Sequence, residues 1–255
     1  MSPRPRLSLV VPCYNEEENV EDLVGECFRA LSSLGEPFEM VVVDDGSRDR
    51  TLERLKVEQL RRPELRVVAL RRNTGQSGAL VAGFAASRGE MIATVDGDLQ
   101  NDPADIAALL DRVRRGECDV ASGWRRKRKD SLLRRISTRV ANKVRKTFLG
   151  DGMNDSASAM KVYRREVLEH MPVFNGMHRF FPALAIMRGF RVIEVPVNHR
   201  PRLRGQAKYG LWNRVFRATI DMFGVAWLRR RAIRIEAVEI ESKEVKKMEP
   251  LEQGS

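Results

Sequence analysis

No run of about 20 apolar residues, the length a helix needs to cross a bilayer, occurs anywhere in the 255-residue sequence. The late apolar segment Met222-Phe-Gly-Val-Ala-Trp-Leu228 is far too short. Met1-Ser-Pro-Arg-Pro-Arg6 runs straight into a strand-like segment, so no secretory signal is expected ahead of the fold. Cysteine is scarce. Cys13, Cys27 and Cys118 form no Cys-x-x-Cys, which argues against a disulfide framework or a zinc site and for a reducing compartment. His170, His178 and His199 have no metal-ligand spacing and read as surface or core residues. Acids are also in deficit, 35 against 46 Lys and Arg, giving a net charge of +11. That imbalance calls for an anionic partner: nucleic acid, a phospholipid surface or a phosphorylated substrate. The expected location is cytoplasmic, peripheral on the cytoplasmic face of a membrane.

With 42% apolar and 32% charged residues, the chain can bury the core of one large α/β domain or two small ones. Continuous apolar runs read as buried strands: Leu7-Ser-Leu-Val-Val11 ended by Pro12, Phe38 to Val43, Leu65 to Leu70, and Met91 to Val95. Helical patterns separate them: Val20, Leu23, Val24, Cys27 and Leu31 in the first, then Thr51 to Leu60, then Gly75 to Ser87. This alternation predicts βαβ units and a parallel sheet covered on both faces. In such sheets ligands bind beyond the carboxyl ends of the strands.

Polar clusters fall at those ends: Tyr14-Asn15-Glu16, Asp44-Asp45, and Asp96-Gly97-Asp98. Asp96 and Asp98, where a buried strand opens into a loop, form a hard-oxygen pair suited to Mg²⁺ or Mn²⁺ shared with substrate phosphates. Alone, Asp-x-Asp is also ordinary turn chemistry, and Asn15 with its glutamates also suits a helix start. Three acidic loops converging on one edge tip the balance toward a site.

The second half is less regular. Asp102-Pro103 starts a helix through Ile106, Leu109, Leu110 and Val113, Asp119 to Gly123 is a short strand, and Val192 to Val197 is a later one. Between Arg125 and Lys146 lie eleven Lys and Arg and a single acid, Asp130. This stretch reads as a basic helix with apolar positions Leu132, Leu133, Ile136, Val140 and Val144. Few aromatics lie in it, so no nucleic-acid partner is expected.

Pro12-Cys-Tyr-Asn-Glu16, Val43-Asp-Asp-Gly-Ser47 and Asp96-Gly-Asp-Leu-Gln100 resemble, in order, three signatures of the family 2 inverting glycosyltransferases. The similarity covers about residues 7–232. Within that family, Asp-x-Asp-Leu-Gln before a basic helix is similar to the polyprenyl-phosphate sugar synthases, such as the dolichyl-phosphate mannose and undecaprenyl-phosphate sugar enzymes. The resemblance implies a nucleotide-diphospho-sugar transferase (GT-A, Rossmann-like) fold with a mostly parallel sheet. It also implies a metal-dependent reaction that moves a sugar from a nucleotide diphospho-sugar to a polyprenyl phosphate with inversion. A transferase acting on a sugar hydroxyl in surface-polysaccharide or glycolipid synthesis is the alternative, and a non-enzymatic binder of anionic surfaces is a third reading.

Carried over by residue, the resemblance implies that Pro12, Tyr14, Glu16 and Asp44 line the nucleoside pocket. Asp96, Asp98 and Gln100 hold the cation against the diphosphate. Gly75-Gln-Ser-Gly78 resembles the family's donor-side loop, although a tight turn accounts for it almost as well. Arg125, Arg128, Arg134 and Ser137 bind the acceptor phosphate, where arginine forks suit phosphate oxygens. Asp155, in Asp155-Ser-Ala-Ser-Ala-Met-Lys161, lies near the reacting centre before a following strand, with Ala159 where the family usually has Gly. A phosphate acceptor is largely ionised near neutrality, so Asp155 is expected to position it rather than act as a base. Arg202 and Lys208 belong to a mobile lid over the diphosphate, in which Ala207 replaces the usual Ser. Beyond it, Trp212, Val215, Phe216, Thr219, Phe223 and Trp227 lie near helical spacing among arginines. This basic amphipathic helix, about 210–232, suits an anionic membrane surface or the core equally. The expected organisation is one catalytic domain over 1–232 and a charged flexible tail over 233–255.

Overall fold

The computed structural model describes residues 4–125, 148–201 and 211–233. Seven strands form one sheet: β1 (Leu7–Cys13), β2 (Phe38–Asp44), β3 (Leu65–Ala69), β4 (Met91–Thr94), β5 (Val120–Trp124), β6 (Lys161–Arg164) and β7 (Val192–Pro196), in the spatial order β3-β2-β1-β4-β6-β5-β7. The pairs β1–β2, β1–β4, β2–β3 and β5–β7 are parallel, whereas β6 runs antiparallel to both β4 and β5. The parallel half is the predicted βαβ series.

Seven helices accompany the sheet among the described residues: α1 (Val20–Ser32), α2 (Thr51–Arg61), α3 (Gly75–Ala86), α4 (Ile106–Arg114), α5 (Arg165–Leu168), α6 (Phe181–Met187) and α7 (Leu211–Arg231). One face of the sheet packs against α1, α2 and α4, the other against α3, α5, α6 and α7. The pattern in α1 shows why. Val20, Leu23, Val24, Cys27 and Leu31 recur at helical spacing and are all buried. By contrast α3 is apolar almost all round. Its Gly83 lies so close to the sheet that a Cβ would come within 2.3 Å of Val10 Cγ1.

Pro12 does not end β1. The strand continues to Cys13, pairing Pro12 with Val43 and Cys13 with Asp44. Val95 N–H donates to Val10 O at 3.4 Å, and β4 pairs no further than Thr94. Side preference alternates along a strand, so Pro12 faces the same side as Val10, beyond the end of β4, where its missing N–H costs no ladder bond. Three elements went unread from composition alone, α5, α6 and the four-residue β6, although the resemblance implied a strand after Asp155. Because β6 is reversed, its first residue, Lys161, reaches the same edge as the carboxyl ends of β1, β2, β4 and β5.

Candidate active site

The loops after β1 and β2 are stitched together by their own polar residues. Asn15, at φ 50°, donates its N–H to Ser47 Oγ (2.9 Å), and its Oδ1 accepts from Arg48 N–H (2.8 Å). Glu16 N–H donates to Thr51 Oγ1 at 2.8 Å and Glu17 N–H to Asp49 Oδ2 at 3.2 Å. Asn15 is thus a clamp between two loops and not a helix cap, since α1 begins at Val20. Pro12, Tyr14 and Glu16 are half-buried on this rim, with Glu16 Oε2 accepting from Asn19 Nδ2 at 2.7 Å.

The adjacent acids Asp44 and Asp45 have opposite fates. Asp45 is consumed by the fold: it accepts from Thr74 N–H (2.7 Å), Thr74 Oγ1 (2.9 Å), Gly75 N–H (2.8 Å) and Asn73 Nδ2 (2.9 Å), anchoring the start of α3. A carboxylate there also complements the positive end of the helix. Asp44 is 2% exposed, its Oδ2 accepts one long bond from Ser47 N–H (3.3 Å), and its Oδ1 has no partner. A buried carboxylate oxygen left unsatisfied is costly unless a ligand supplies the donor.

Asp96-Gly97-Asp98 rests directly against the end of β1. A Cβ on Gly97 would approach Cys13 Sγ to 2.8 Å and Pro12 O to 3.2 Å, so glycine lets the acidic loop meet the first motif. Asp96 Oδ1 accepts from Gln76 Nε2 at 2.6 Å, which draws α3's first turn into the site. Asp98 Oδ1 accepts from Gln100 N–H at 3.2 Å, closing a turn around Leu99. Leu99 sits at φ 58°, a left-handed conformation that costs a branched residue about 1–2 kcal/mol. Its buried side chain, 6% exposed, anchors that turn in the core.

Gln100 is tied to the segment that follows β7. Arg200 N–H donates to Gln100 O at 2.8 Å, and Gln100 Nε2 points at Arg200 O at 3.4 Å. Arg200 in turn pairs with Glu26 at 2.7 Å and Asp102 at 2.9 Å. Among the described residues no cluster of three or more His, Cys, Asp or Glu could enclose a metal. Two carboxylates on one loop, with the remaining positions left for phosphate oxygens and water, are the donor set that suits Mg²⁺ or Mn²⁺.

Asp155 and Arg125, 30 residues apart in sequence, form a single unit. Arg125 Nε and Nη2 donate to the two Asp155 oxygens at 2.7 and 2.8 Å, and the Arg125 N–H adds a bond at 3.3 Å. The two side chains are 12% and 9% exposed. Glu194, on β7, accepts the Asp155 N–H at 2.6 Å and the Asn154 N–H at 2.9 Å, fixing the loop from below. Both Asp155 oxygens are thus engaged by one guanidinium. Three nearby residues carried no assigned role in the sequence: Gln76, His178, whose Nδ1 lies 2.8 Å from Ser77 Oγ, and the buried Lys161. Gln76 and Lys161 both stand within quoted motifs, which was the available signal.

Arg128, Arg134, Ser137, Arg202 and Lys208, the basic helix and the charged tail beyond 233 lie outside the described residues. Among the described side chains of α7, Met222 and Val225 are buried, whereas Ile220, Phe223 and Trp227 are exposed. Phe148 stacks edge-on against Phe223 with ring centroids 5.3 Å apart, and Arg231 lies over the Trp227 ring at 5.8 Å. The helix therefore packs on the core by one face and presents an apolar stripe on another. No described helix is long and apolar enough to cross a membrane.

A mostly parallel, helix-flanked sheet with acidic loops gathered at the carboxyl ends defines the nucleotide-diphospho-sugar transferase fold. The chain belongs to glycosyl transferase family 2, whose profile matches residues 8–171. It is 40% identical over 228 residues to a dodecaprenyl-phosphate galacturonate synthase of Rhizobium johnstonii, covering 88% of this chain and 67% of that protein. An undecaprenyl-phosphate 4-deoxy-4-formamido-L-arabinose transferase of Edwardsiella ictaluri is 39% identical over 207 residues, covering 80% of this chain and 63% of that protein. The chain thus spans about two thirds of the length of these relatives. The fold is shared with glucosyl-3-phosphoglycerate synthase of Mycobacterium tuberculosis, solved with Mn²⁺, UDP and phosphoglyceric acid (TM-score 0.67, 20% identity, 94% of this chain and 82% of that one). It is also shared with a mannosyltransferase of Pyrobaculum calidifontis solved with GDP-mannose and Mn²⁺ (TM-score 0.64, 21% identity, 92% and 67%).

Proposed function

We propose that the chain transfers a sugar from a nucleotide diphospho-sugar to a polyprenyl phosphate, inverting the anomeric carbon, with Mg²⁺ or Mn²⁺. The observation that carries the donor half is Asp44 Oδ1, a buried acceptor without a donor, beside the Asp96-Gly97-Asp98 loop. A base N–H would satisfy it, with Pro12, Tyr14 and Glu16 along the rim. Asp96 and Asp98 would hold the cation, aided by Gln100, and the cation when bound would neutralise diphosphate oxygens and stabilise the departing nucleotide. Arg202 and Lys208 add positive charge to the same leaving group.

The acceptor half rests on the similarity to two polyprenyl-phosphate sugar enzymes and on the Arg125–Asp155 pair. Asp155 fixes two guanidinium N–H groups of Arg125, so the remaining ones are presented in a set direction to a phosphate, with Arg128, Arg134 and Ser137 completing the cradle. An ionised phosphate oxygen then attacks the anomeric carbon as the nucleoside diphosphate leaves. No proton need be removed, and no covalent enzyme intermediate forms. Transfer to a sugar hydroxyl would need a free base, and Asp155 does not have its oxygens free.

The exposed Ile220, Phe223 and Trp227, with Arg229 to Arg231 following, suit an anionic membrane surface on its cytoplasmic side, where a lipid phosphate is reached. A catalytic domain over 1–232 with a charged extension beyond it completes the reading. A panel of nucleotide sugars incubated with undecaprenyl phosphate and Mn²⁺, scored for lipid-linked sugar, tests it. Asp98→Ala and chelation by EDTA should each abolish product. Product that survives both would overturn the metal role, and transfer only to sugar hydroxyls would overturn the acceptor.

A further inference from the structure

A row of three polar side chains crosses the sheet at one register. Lys161 on β6 pairs with Thr94 on β4 and with Ser122 on β5. By strand alternation all three point to the face that also buries Ile92, Tyr163 and Val120. Thr94 Oγ1 donates to Ala159 O at 2.6 Å, Lys161 Nζ donates to Ser158 O, and Ser158 N–H donates to Asp155 O at 3.2 Å. The row thereby ties down the turn that carries Asp155. Lys161 is 2% exposed, and its ammonium donates to the backbone carbonyl of Ser158. A buried ammonium bonded to one carbonyl is an expensive choice where a methionine would pack better. Its field reaches Asp155 and Asp96, which together raise its pKa against burial, the larger influence, and Arg125 opposes them; the net result is about 8.

We propose that Lys161 is a positioning residue for the donor: a fixed positive charge under the site that makes it prefer the metal–nucleotide complex over the bare metal. This rests on the reading of the acidic strand ends as a nucleotide-diphosphate site. The sign follows from charge alone. A bare divalent cation entering between Asp96 and Asp98 is repelled by the nearby ammonium. A divalent cation carrying a nucleoside diphosphate brings net negative charge and is attracted. Removing the ammonium should therefore move the two affinities in opposite directions, which loss of packing would not do.

The test is Lys161→Met and Lys161→Arg in the whole protein, with Mn²⁺ alone titrated by electron paramagnetic resonance, and Mn²⁺ with UDP or GDP by calorimetry. Lys161→Met should bind Mn²⁺ alone about three-fold tighter and the better metal–nucleotide complex about ten-fold weaker. Its melting temperature should hold or rise, and Lys161→Arg should keep the wild-type order of affinities. Both affinities unchanged, or both falling with the melting temperature, would overturn the assignment. Wild-type protein that takes up Mn²⁺ but neither nucleotide would overturn the donor site and this inference with it. A wild type that binds both, with Lys161→Met indistinguishable from it, would overturn Lys161 alone.

Discussion

The Arg125–Asp155 pair gives a prediction with an internal check. Its two side-chain bonds, at 2.7 and 2.8 Å, join groups only 12% and 9% exposed, so neither side chain can exchange its partner for bulk water without moving. Breaking a buried pair by removing one member costs roughly 3–5 kcal/mol, and Asp155→Asn and Arg125→Gln should each fall at or somewhat below the low end, since each keeps part of the hydrogen bonding. The two costs should be unequal. Asp155→Asn leaves two cations, Arg125 and the buried Lys161, facing each other, whereas Arg125→Gln leaves Asp155 with Lys161 still nearby. Asp155→Asn should therefore be the more damaging. The double variant should cost less than the sum of the singles by about 1.5–3 kcal/mol, the range for groups in direct contact. Urea unfolding measures the stability cycle, and the acceptor KM and kcat measure its functional counterpart. Additive effects within about 0.5 kcal/mol would refute the coupling. Asp155→Asn that keeps full stability and acceptor affinity while losing all turnover would refute the positioning role and make Asp155 the base.

Two further outcomes follow from buried carboxylates. Asp44→Asn removes the acceptor at the orphaned Oδ1, so nucleotide affinity should fall about 10- to 150-fold, the worth of a hydrogen bond to a charged group, while stability holds or rises. Calorimetry with the nucleotide and a thermal melt separate the two; unchanged affinity would remove Asp44 from the nucleoside pocket. Glu39, at the opposite edge of the sheet, accepts from Ser8 Oγ (2.6 Å), the Arg66 guanidinium (2.8 Å) and the Arg88 N–H. Burial is the largest single influence and pushes its pKa up, but these bonds and the Arg66 charge together bring it below the ordinary 4.5. A depressed carboxyl adds stability above its unfolded pKa and loses it as pH falls through the folded value. Glu39→Gln should lower the melting temperature at pH 7, with the gap to wild type closing below about pH 4.5; a gap constant down to pH 3 would contradict this.

The first four strands were legible because each is an apolar run ended by a polar turn, a pattern that depends only on near neighbours. The division of labour between Asp44 and Asp45 was not. Along β2 successive side chains alternate faces, and Val42 and Val43 fall into the two opposite cores. Asp45 turns toward α3, where four donors capture it, while Asp44 turns to the other face and keeps an oxygen free. Only the position of the β3–α3 loop decides this, and no local pattern encodes it. The Arg125–Asp155 bond is hidden for the same reason, since its partners come from separate strand ends. The sequence left the last helix open between a membrane surface and the core; among its described side chains Met222 and Val225 are buried in the core, with Ala226 and Leu228 packed against it, while Phe223 and Trp227 are exposed.

The reversed strand β6 is what makes the Arg125–Asp155 pair possible. Had it run parallel to β4, Arg164 would stand at the site edge, and the turn over residues 155–160 would lie at the far end with Glu39. Running antiparallel, it places Lys161 level with Thr94 and brings the Asp155 turn within reach of Arg125 at the end of β5. It also sets a lysine where both sheet faces are covered, a position that β-strand patterning would fill with valine or isoleucine. A strand so short, with charged residues at both ends, offers little local signal of its own. Its identity comes from its neighbours: β4 and β5 each need a partner edge, and only an intervening reversed strand brings one turn to both the acidic loop after β4 and Arg125 beyond β5. The same residue that weakens β6 as a strand signal, Lys161, is the one whose charge the site has reason to keep.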